Sequence, residues 1–128
     1  MSEWTSEELE KIAAAEELQL ASVRRDGRLG KSVTIWVVRH GDDLYVRSWR
    51  GSTSAWFRAA QDRHGGHIRA GGVDKDVVFV DADDDVKDAI EAAYRTKYRS
   101  YSDSYVPAMI SPQARATTIQ LVPRSTGS

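Results

Sequence analysis

The hydrophobic positions change period along the chain, and each change marks an element. Leu9, Ile12 and Ala13 recur at helical spacing behind a Thr5–Glu8 capping box, with Trp4 placed to pack on Leu9. They predict an amphipathic helix running to about Ala15. From Leu18 the period is two: Leu18, Leu20 and Ser22 alternate with Gln19, Ala21 and Val23, and Asp26-Gly27 signals a turn. The second strand, Lys31 to Arg39, is β-branched and aromatic on both faces, the pattern of a strand buried on both sides. His40-Gly41-Asp42-Asp43 turns the chain into a third strand, Leu44 to Trp49. There Leu44, Val46 and Ser48 face one way and Tyr45, Arg47 and Trp49 the other, so Trp49 points outward if Leu44 and Val46 point in.

Arg50-Gly51-Ser52-Thr53 breaks the strand, and Ser52 or Thr53 is placed to cap a helix that carries Trp56, Phe57 and Ala60 inward and ends at Gly65-Gly66. Strands His67 to Ala70 and Val73 to Asp81 follow, joined by Gly71-Gly72. Asp83 caps a third helix, with Asp84 and Asp85 favourable at its positive end and Val86, Ile90, Ala93 and Tyr94 as its buried stripe. The chain is irregular from about Arg99 to Pro107, Ser111-Pro112 opens one short helical turn, and Thr117 to Val122 alternates as the last strand before a frayed tail, Arg124 to Ser128. Six mostly antiparallel strands, with helices at the N-terminus, between strands three and four and before the last strand, predict one α+β domain over 1–128 whose sheet curls into a small barrel.

Composition narrows the function classes. Zero cysteines exclude a disulfide scaffold, a thiolate metal centre and a cysteine nucleophile, and suit a reducing cytoplasm, the expected location. A net charge of −1 gives no overall positive field for nucleic acid. Apolar runs such as Ile35–Val38 are far shorter than the roughly 20 residues of a spanning helix, and the first residues lack the basic region of a secretion signal. The near-neutral total hides a basic middle, with six arginines (Arg39, Arg47, Arg50, Arg58, Arg63, Arg69) against Asp42, Asp43 and Asp62.

Two constellations carry candidate chemistry. Ser48, Arg50, Gly51 and Ser52 precede a helix N-terminus, combining a cation, hydroxyl donors, close backbone approach and a helix dipole in the manner of a phosphate cradle. The same residues also fit a plain helix cap beside a solvated arginine. Tyr94, Tyr98, Tyr101 and Tyr105, interleaved with Arg95, Lys97 and Arg99, offer phenols as acids or donors and a lysine to steady an anion, or else amphipathic packing at a helix end. His64-Gly65-Gly66-His67 lacks the partners of a metal site, and the Asp81–Asp85 run lacks the spacing of a calcium loop, so no metal is expected.

The runs Ser22-Val23-Arg24-Arg25-Asp26-Gly27-Arg28, Val33-Thr34-Ile35-Trp36-Val37-Val38, Gly41-Asp42-Asp43-Leu44-Tyr45-Val46, Ser48-Trp49-Arg50-Gly51 and Trp56-Phe57 resemble the split β-barrel flavin-binding proteins, the pyridoxamine-phosphate-oxidase-like and deazaflavin-dependent nitroreductase-like groups. With Ala70-Gly71-Gly72-Val73, Ala93-Tyr94-Arg95-Thr96-Lys97-Tyr98 and Ser111-Pro112-Gln113-Ala114-Arg115-Ala116-Thr117-Thr118, the chain looks more closely like a small bacterial family of unassigned function within that superfamily, over about residues 4 to 124. The resemblance implies a split barrel that dimerises with a second copy. It also implies that the backbone of Val33, Thr34, Ile35 and Trp36 runs beside a flavin-like ring, with Lys31, Ser48, Arg50 and Gly51 at its phosphate and Trp56 as a wall. Trp49 departs from the simpler Ser-Lys-Gly segment of the broader group, and its bulk falls where cofactor would lie.

The resulting expectation is an oxidoreductase that binds flavin mononucleotide or a deazaflavin coenzyme and acts on a small organic substrate, with Tyr98, Tyr101 and Lys97 on the substrate side. The alternative is a cofactor-free enzyme of cyclase or isomerase type, or a small-molecule binder, using an aromatic pocket of Trp36, Trp49 and Trp56. A third reading is a non-enzymatic dimer whose aromatic surface is only an interface.

Overall fold

The computed structural model describes residues 4–24, 26–49, 51–101 and 106–124, with the side chains of Ser52 and Tyr101 also outside the description. Its elements run α1 (Ser6–Ala14), β1 (Leu18–Ser22), β2 (Val33–Ile35), β3 (Val38–His40), β4 (Asp43–Val46), α2 (Ala55–Arg63), β5 (Gly65–Ala70), β6 (Val73–Asp81), α3 (Asp84–Lys97), α4 (Val106–Met109), α5 (Pro112–Arg115) and β7 (Ile119–Pro123). Short 3-10 turns cover Gly51–Thr53 and Arg99–Tyr101. The capping box at Thr5 forms as expected, and the Trp4 indole N–H reaches the Leu121 carbonyl at 2.9 Å while its ring joins Leu9 in the core.

All strand pairings are antiparallel, in the order β2-β1-β5-β6-β7-β4-β3. This corrects the expected six strands to seven. The strand foreseen over Lys31 to Arg39 is two: β2 pairs with β1, β3 pairs with β4, and only Trp36 and Val37 separate them. Since β2 and β3 stand at opposite ends of the sheet order, this two-residue corner forces the sheet to curl until its ends meet. Nor is the segment buried on both sides, for Lys31 and Thr34 are exposed while Val37 and Val38 are buried.

Other boundaries shift for local reasons. The strand after Asp43 stops at Val46, because the Ser48 N–H bonds the Thr117 hydroxyl (2.9 Å) instead of continuing a ladder. Ser54, not Ser52 or Thr53, is the N-cap of α2. Its C-terminus is His64, in the left-handed region at φ 57°, while Gly65 and Gly66 already belong to β5. At Gly66 an added Cβ would lie 2.3 Å from the Ala21 carbonyl oxygen, so that glycine serves strand approach. The segment expected to be irregular holds the 3-10 turn Arg99–Tyr101 and the start of α4, while residues 102–105, Tyr105 among them, lie outside the described residues.

Two hydrophobic clusters lie on opposite faces of the closing strands. Inside the curled sheet, Leu18, Leu20, Val37, Leu44, Val46, Ile68, Phe79 and Leu121 pack beneath Leu9 and Ile12 of α1 and Phe57 and Ala60 of α2. Outside it, Val38 and Tyr45 pack against Ile90, Tyr94 and Tyr98 of α3 and its C-cap and Val106 and Met109 of α4. The period of two assigns Leu44 and Val46 to one cluster and Tyr45 to the other.

Arg47 continues the outer face and is buried, so it adds nothing to the surface charge counted in the basic middle. Its guanidinium donates to the Thr118 hydroxyl (2.8 Å) and to the Met109 (3.0 Å) and Lys87 (3.2 Å) carbonyls, and lies 3.6 Å from the Glu91 carboxylate. The Tyr94 ring centre is 5.8 Å from its Cζ. The Tyr94 hydroxyl faces the Arg47 backbone without full hydrogen-bond geometry, and burial pushes its pKa up, keeping it protonated. One side chain thus ties β4 to α3, α4 and the segment entering β7. Arg47→Ala leaves the Met109 and Lys87 carbonyls without this donor and takes one of two cations from Glu91, which keeps Arg115 at 3.0 Å, and its expected cost is about 3 kcal/mol in urea-unfolding free energy.

Candidate functional site

The corner between β2 and β3 breaks both ladders, so its backbone polar groups need other partners. They come from the end of α3. The Val37 N–H donates to the Tyr98 hydroxyl (3.2 Å), and Lys97 Nζ donates to the Val37 carbonyl (2.6 Å). The Tyr98 hydroxyl lies 2.5 Å from the Glu16 carbonyl and 3.2 Å from that of Val37. A phenol has one proton, and the shorter contact directs it to Glu16, leaving Lys97 to serve Val37. Trp36 stacks on Tyr98 with ring centres 3.8 Å apart and planes 3° from parallel. Tyr98 is buried while Trp36 is half-buried, so the stack runs from core to surface.

Lys97 is half-buried in this stack, with Nζ 5.2 Å from the Tyr98 ring centre. Burial lowers its pKa to about 8, against a smaller opposing effect of the Glu16 carboxylate. The corner therefore holds an amine that changes charge near neutral pH.

Lys31 and Thr34 precede Trp36 in sequence, Lys31 in the loop before β2 and Thr34 within it. Thr34 is exposed on β2 and its hydroxyl accepts from Gln19 Nε2 (2.8 Å); it keeps its own proton to donate. β2 is terminal in the sheet order. Lys31, in the loop before it, is exposed. The structure thus places Thr34, Trp36, Lys97 and Tyr98 about one corner, with Lys31 at its approach.

Ser48 and Gly51 belong to a second group. The Ser48 hydroxyl is buried, donates to the Gly51 carbonyl (2.7 Å) and lies 2.5 Å from the Ser54 hydroxyl. Gly51 takes φ 70°, and a Cβ there would lie 2.3 Å from Gln113 Cγ, so the side chain of α5 fills the space over the glycine. These atoms are engaged in holding their own loop. Arg50 lies outside the described residues, and Tyr101 is described only as the end of a 3-10 turn. Trp56 is partly buried against the inner core, its ring edge-on to Phe57, and its carbonyl accepts from the Ser22 hydroxyl (3.2 Å). Trp49 is 56% exposed, pointing outward as its strand position predicted.

The sequence names Trp36, Lys97 and Tyr98 as candidates, and the structure brings them together through the backbone of Val37, which no sequence signal marks. Gln113 is not among the candidates, since no sequence signal sets α5 against Gly51. Two surface grooves of about 450 and 240 Å³ lie elsewhere, one between the β1–β2 turn and α2 (Val23, Arg24, Arg63), the other beside Trp4, Asp42 and Asp43. Neither contains a predicted site residue. Among the described residues, no cluster of three or more metal-binding side chains gathers, and no helix is long and apolar enough to cross a membrane.

Tyr98→Phe removes the acceptor of the Val37 N–H and the donor to the Glu16 carbonyl together. Denaturant unfolding is expected to show a loss of about 1–3 kcal/mol.

A family model described as "Uncharacterized protein conserved in bacteria (DUF2255)" matches residues 8–121. No curated protein matches the sequence. Among solved structures, an F420 reductase is similar at TM-score 0.57 and 16% identity, over 92% of both chains. HutZ, the heme storage protein from Vibrio cholerae, is similar at TM-score 0.66 and 16% identity, over 91% of this chain and 87% of that one. An FAD-binding protein from Mesorhizobium loti is similar at TM-score 0.57 and 14% identity, over 96% of this chain and 91% of that one. At such identities the likeness is one of fold, and that one fold accompanies three different planar groups.

Proposed function

The chain belongs to the bacterial DUF2255 family, and from that premise and the fold it shares with an F420 reductase and an FAD-binding protein we propose that it binds a flavin or deazaflavin at the β2–β3 corner and uses it to reduce or oxidise a small organic substrate. The observation that carries this reading is the corner itself: a terminal strand leads into Trp36, whose indole is held flat by Tyr98 on one face and is half-buried. A planar ring is recognised by such a combination of backbone edge and rigid aromatic wall.

The residues present fit the ring end of the cofactor. The Thr34 hydroxyl and the backbone of Val33 to Trp36 would meet the ring's polar edge, and exposed Lys31 would meet a phosphate. Ser48 and Gly51 would act by shaping their loop, because their polar atoms and the space above them are taken. Bound there, a flavin or deazaflavin would supply the hydride chemistry, while this chain orients the ring and limits water. Lys97 and Tyr98 would act through the corner they hold.

Thr34 is exposed and Trp36 half-buried at the corner, and a second copy would wall it. We therefore assign the protein as a homodimer, in which the exposed Trp49 indole gains burial against the partner. Gln113 over Gly51 favours one competing reading, a barrel that has kept the aromatic corner for a small molecule and dispensed with the phosphate-bearing cofactor.

Protein purified from a flavin-sufficient host is expected to show flavin or deazaflavin absorption, or to bind flavin mononucleotide or coenzyme F420 on titration. Trp36→Ala is expected to weaken that binding about tenfold. No binding of either tighter than about millimolar would refute the flavin reading and favour the cofactor-free one. Light scattering is expected to give twice the 14.3 kDa chain mass, and a value of one chain mass would refute the dimer.

A further inference from the structure

We propose that Lys97 is a positioning residue, a latch that holds the Trp36–Val37 corner closed and so presents the Trp36 indole to a planar ligand, and that its neutral amine is the form that holds the latch. The inference rests on the proposed function only for the ligand; the latch itself follows from the geometry.

The Trp36–Val37 corner is the one interruption between two strands at opposite ends of the sheet. Its carbonyl is met by Lys97 Nζ at 2.6 Å and its N–H by Tyr98, and Tyr98 also carries the Trp36 stack. A corner that swings open would take Trp36 off Tyr98 and release the Lys97 side chain to water. The titratable groups facing Nζ among the described residues are Glu16, from the segment before β1, and Tyr98, with the ring of Tyr94 behind it.

The sign follows from linkage. In the closed corner Lys97 loses its proton near pH 8, whereas an amine released to water keeps it until about 10.4. The open corner therefore binds more protons between these values, and raising the pH favours the closed one. A neutral amine still donates one N–H to the Val37 carbonyl while escaping the cost of burying a charge. Lys97→Met removes both the titration and the donor to the Val37 carbonyl, and Lys97→Arg keeps a charge there at all pH values.

The test is amide hydrogen exchange at Val37, corrected for intrinsic rates, in the protein without ligand. Between pH 7 and 9.5 the protection factor is expected to rise on the order of tenfold in the wild type. It should be low and flat in Lys97→Met, which has no donor for the Val37 carbonyl, and low and flat in Lys97→Arg, which stays charged at every pH tested. His67 also titrates: burial lowers its pKa, but the hydrogen bonds it donates to Asp76 and Asp74 together outweigh this and raise it above the usual histidine value. It is intact in both variants, so a slope that persists in them is not the latch. A flat wild-type profile, or the same slope in Lys97→Met, would overturn the proposal. Flavin mononucleotide affinity should rise with pH over the same range in the wild type alone. Should flavins fail to bind while the Val37 profile behaves as stated, the cofactor reading falls and the latch stands.

Discussion

The structure depends on how two peptide groups at one corner find partners. A sheet whose terminal strands are consecutive in sequence must turn sharply between them, and a sharp turn removes backbone groups from both ladders. Here that turn is Trp36–Val37, and the partners are the amine of Lys97 and the hydroxyl of Tyr98, delivered by the last turn and C-cap of α3. Left unpaired, such buried groups cost about 1–3 kcal/mol each, a large part of a small domain's stability. The helix therefore closes the barrel as well as covering one face of it.

Closure and the candidate site are the same place. The side chains that satisfy the corner also fix the Trp36 ring, so the wall that would meet a ligand is set by contacts on its hidden side. Arg47 plays the corresponding part deeper in the outer cluster, where its fork spans β4, α3 and α4. Polar side chains near a suspected site here build the site's shape before they offer any chemistry. Ser48 makes the same point, its hydroxyl turned inward onto Gly51 and Ser54.

Much of this was legible in the sequence, and the rest was hidden for physical reasons. Period-two alternation correctly separated Leu44 and Val46 from Tyr45, and Asp83 and Ser111-Pro112 marked helix starts that the structure retains. The corner was invisible because Val33 to Val38 is one continuous run of β-branched and aromatic residues; what bends it lies 60 residues away in Lys97. Gly65-Gly66 reads as a breaker, yet both glycines sit in a strand, and at Gly66 the Ala21 carbonyl of the neighbouring strand passes too closely for a side chain. Arg47 reads as surface charge because burial of an arginine depends on acceptors from Lys87, Met109 and Thr118, which only the fold assembles. The Ser48-to-Ser52 cradle had the right residue types, but composition does not tell whether a hydroxyl faces outward or inward.

The central claim is that a planar flavin-type ligand meets this chain at the Trp36 corner. The most direct measurement is a two-dimensional NMR titration with flavin mononucleotide and coenzyme F420, following backbone amides and tryptophan indole N–H signals together. The account predicts saturable shifts concentrated on Val33 to Val37 and the Trp36 indole, with the Tyr98 and Lys97 amides moving in step. Shifts confined to the grooves beside Arg24 or Trp4, or no saturable shift with either ligand, would contradict it.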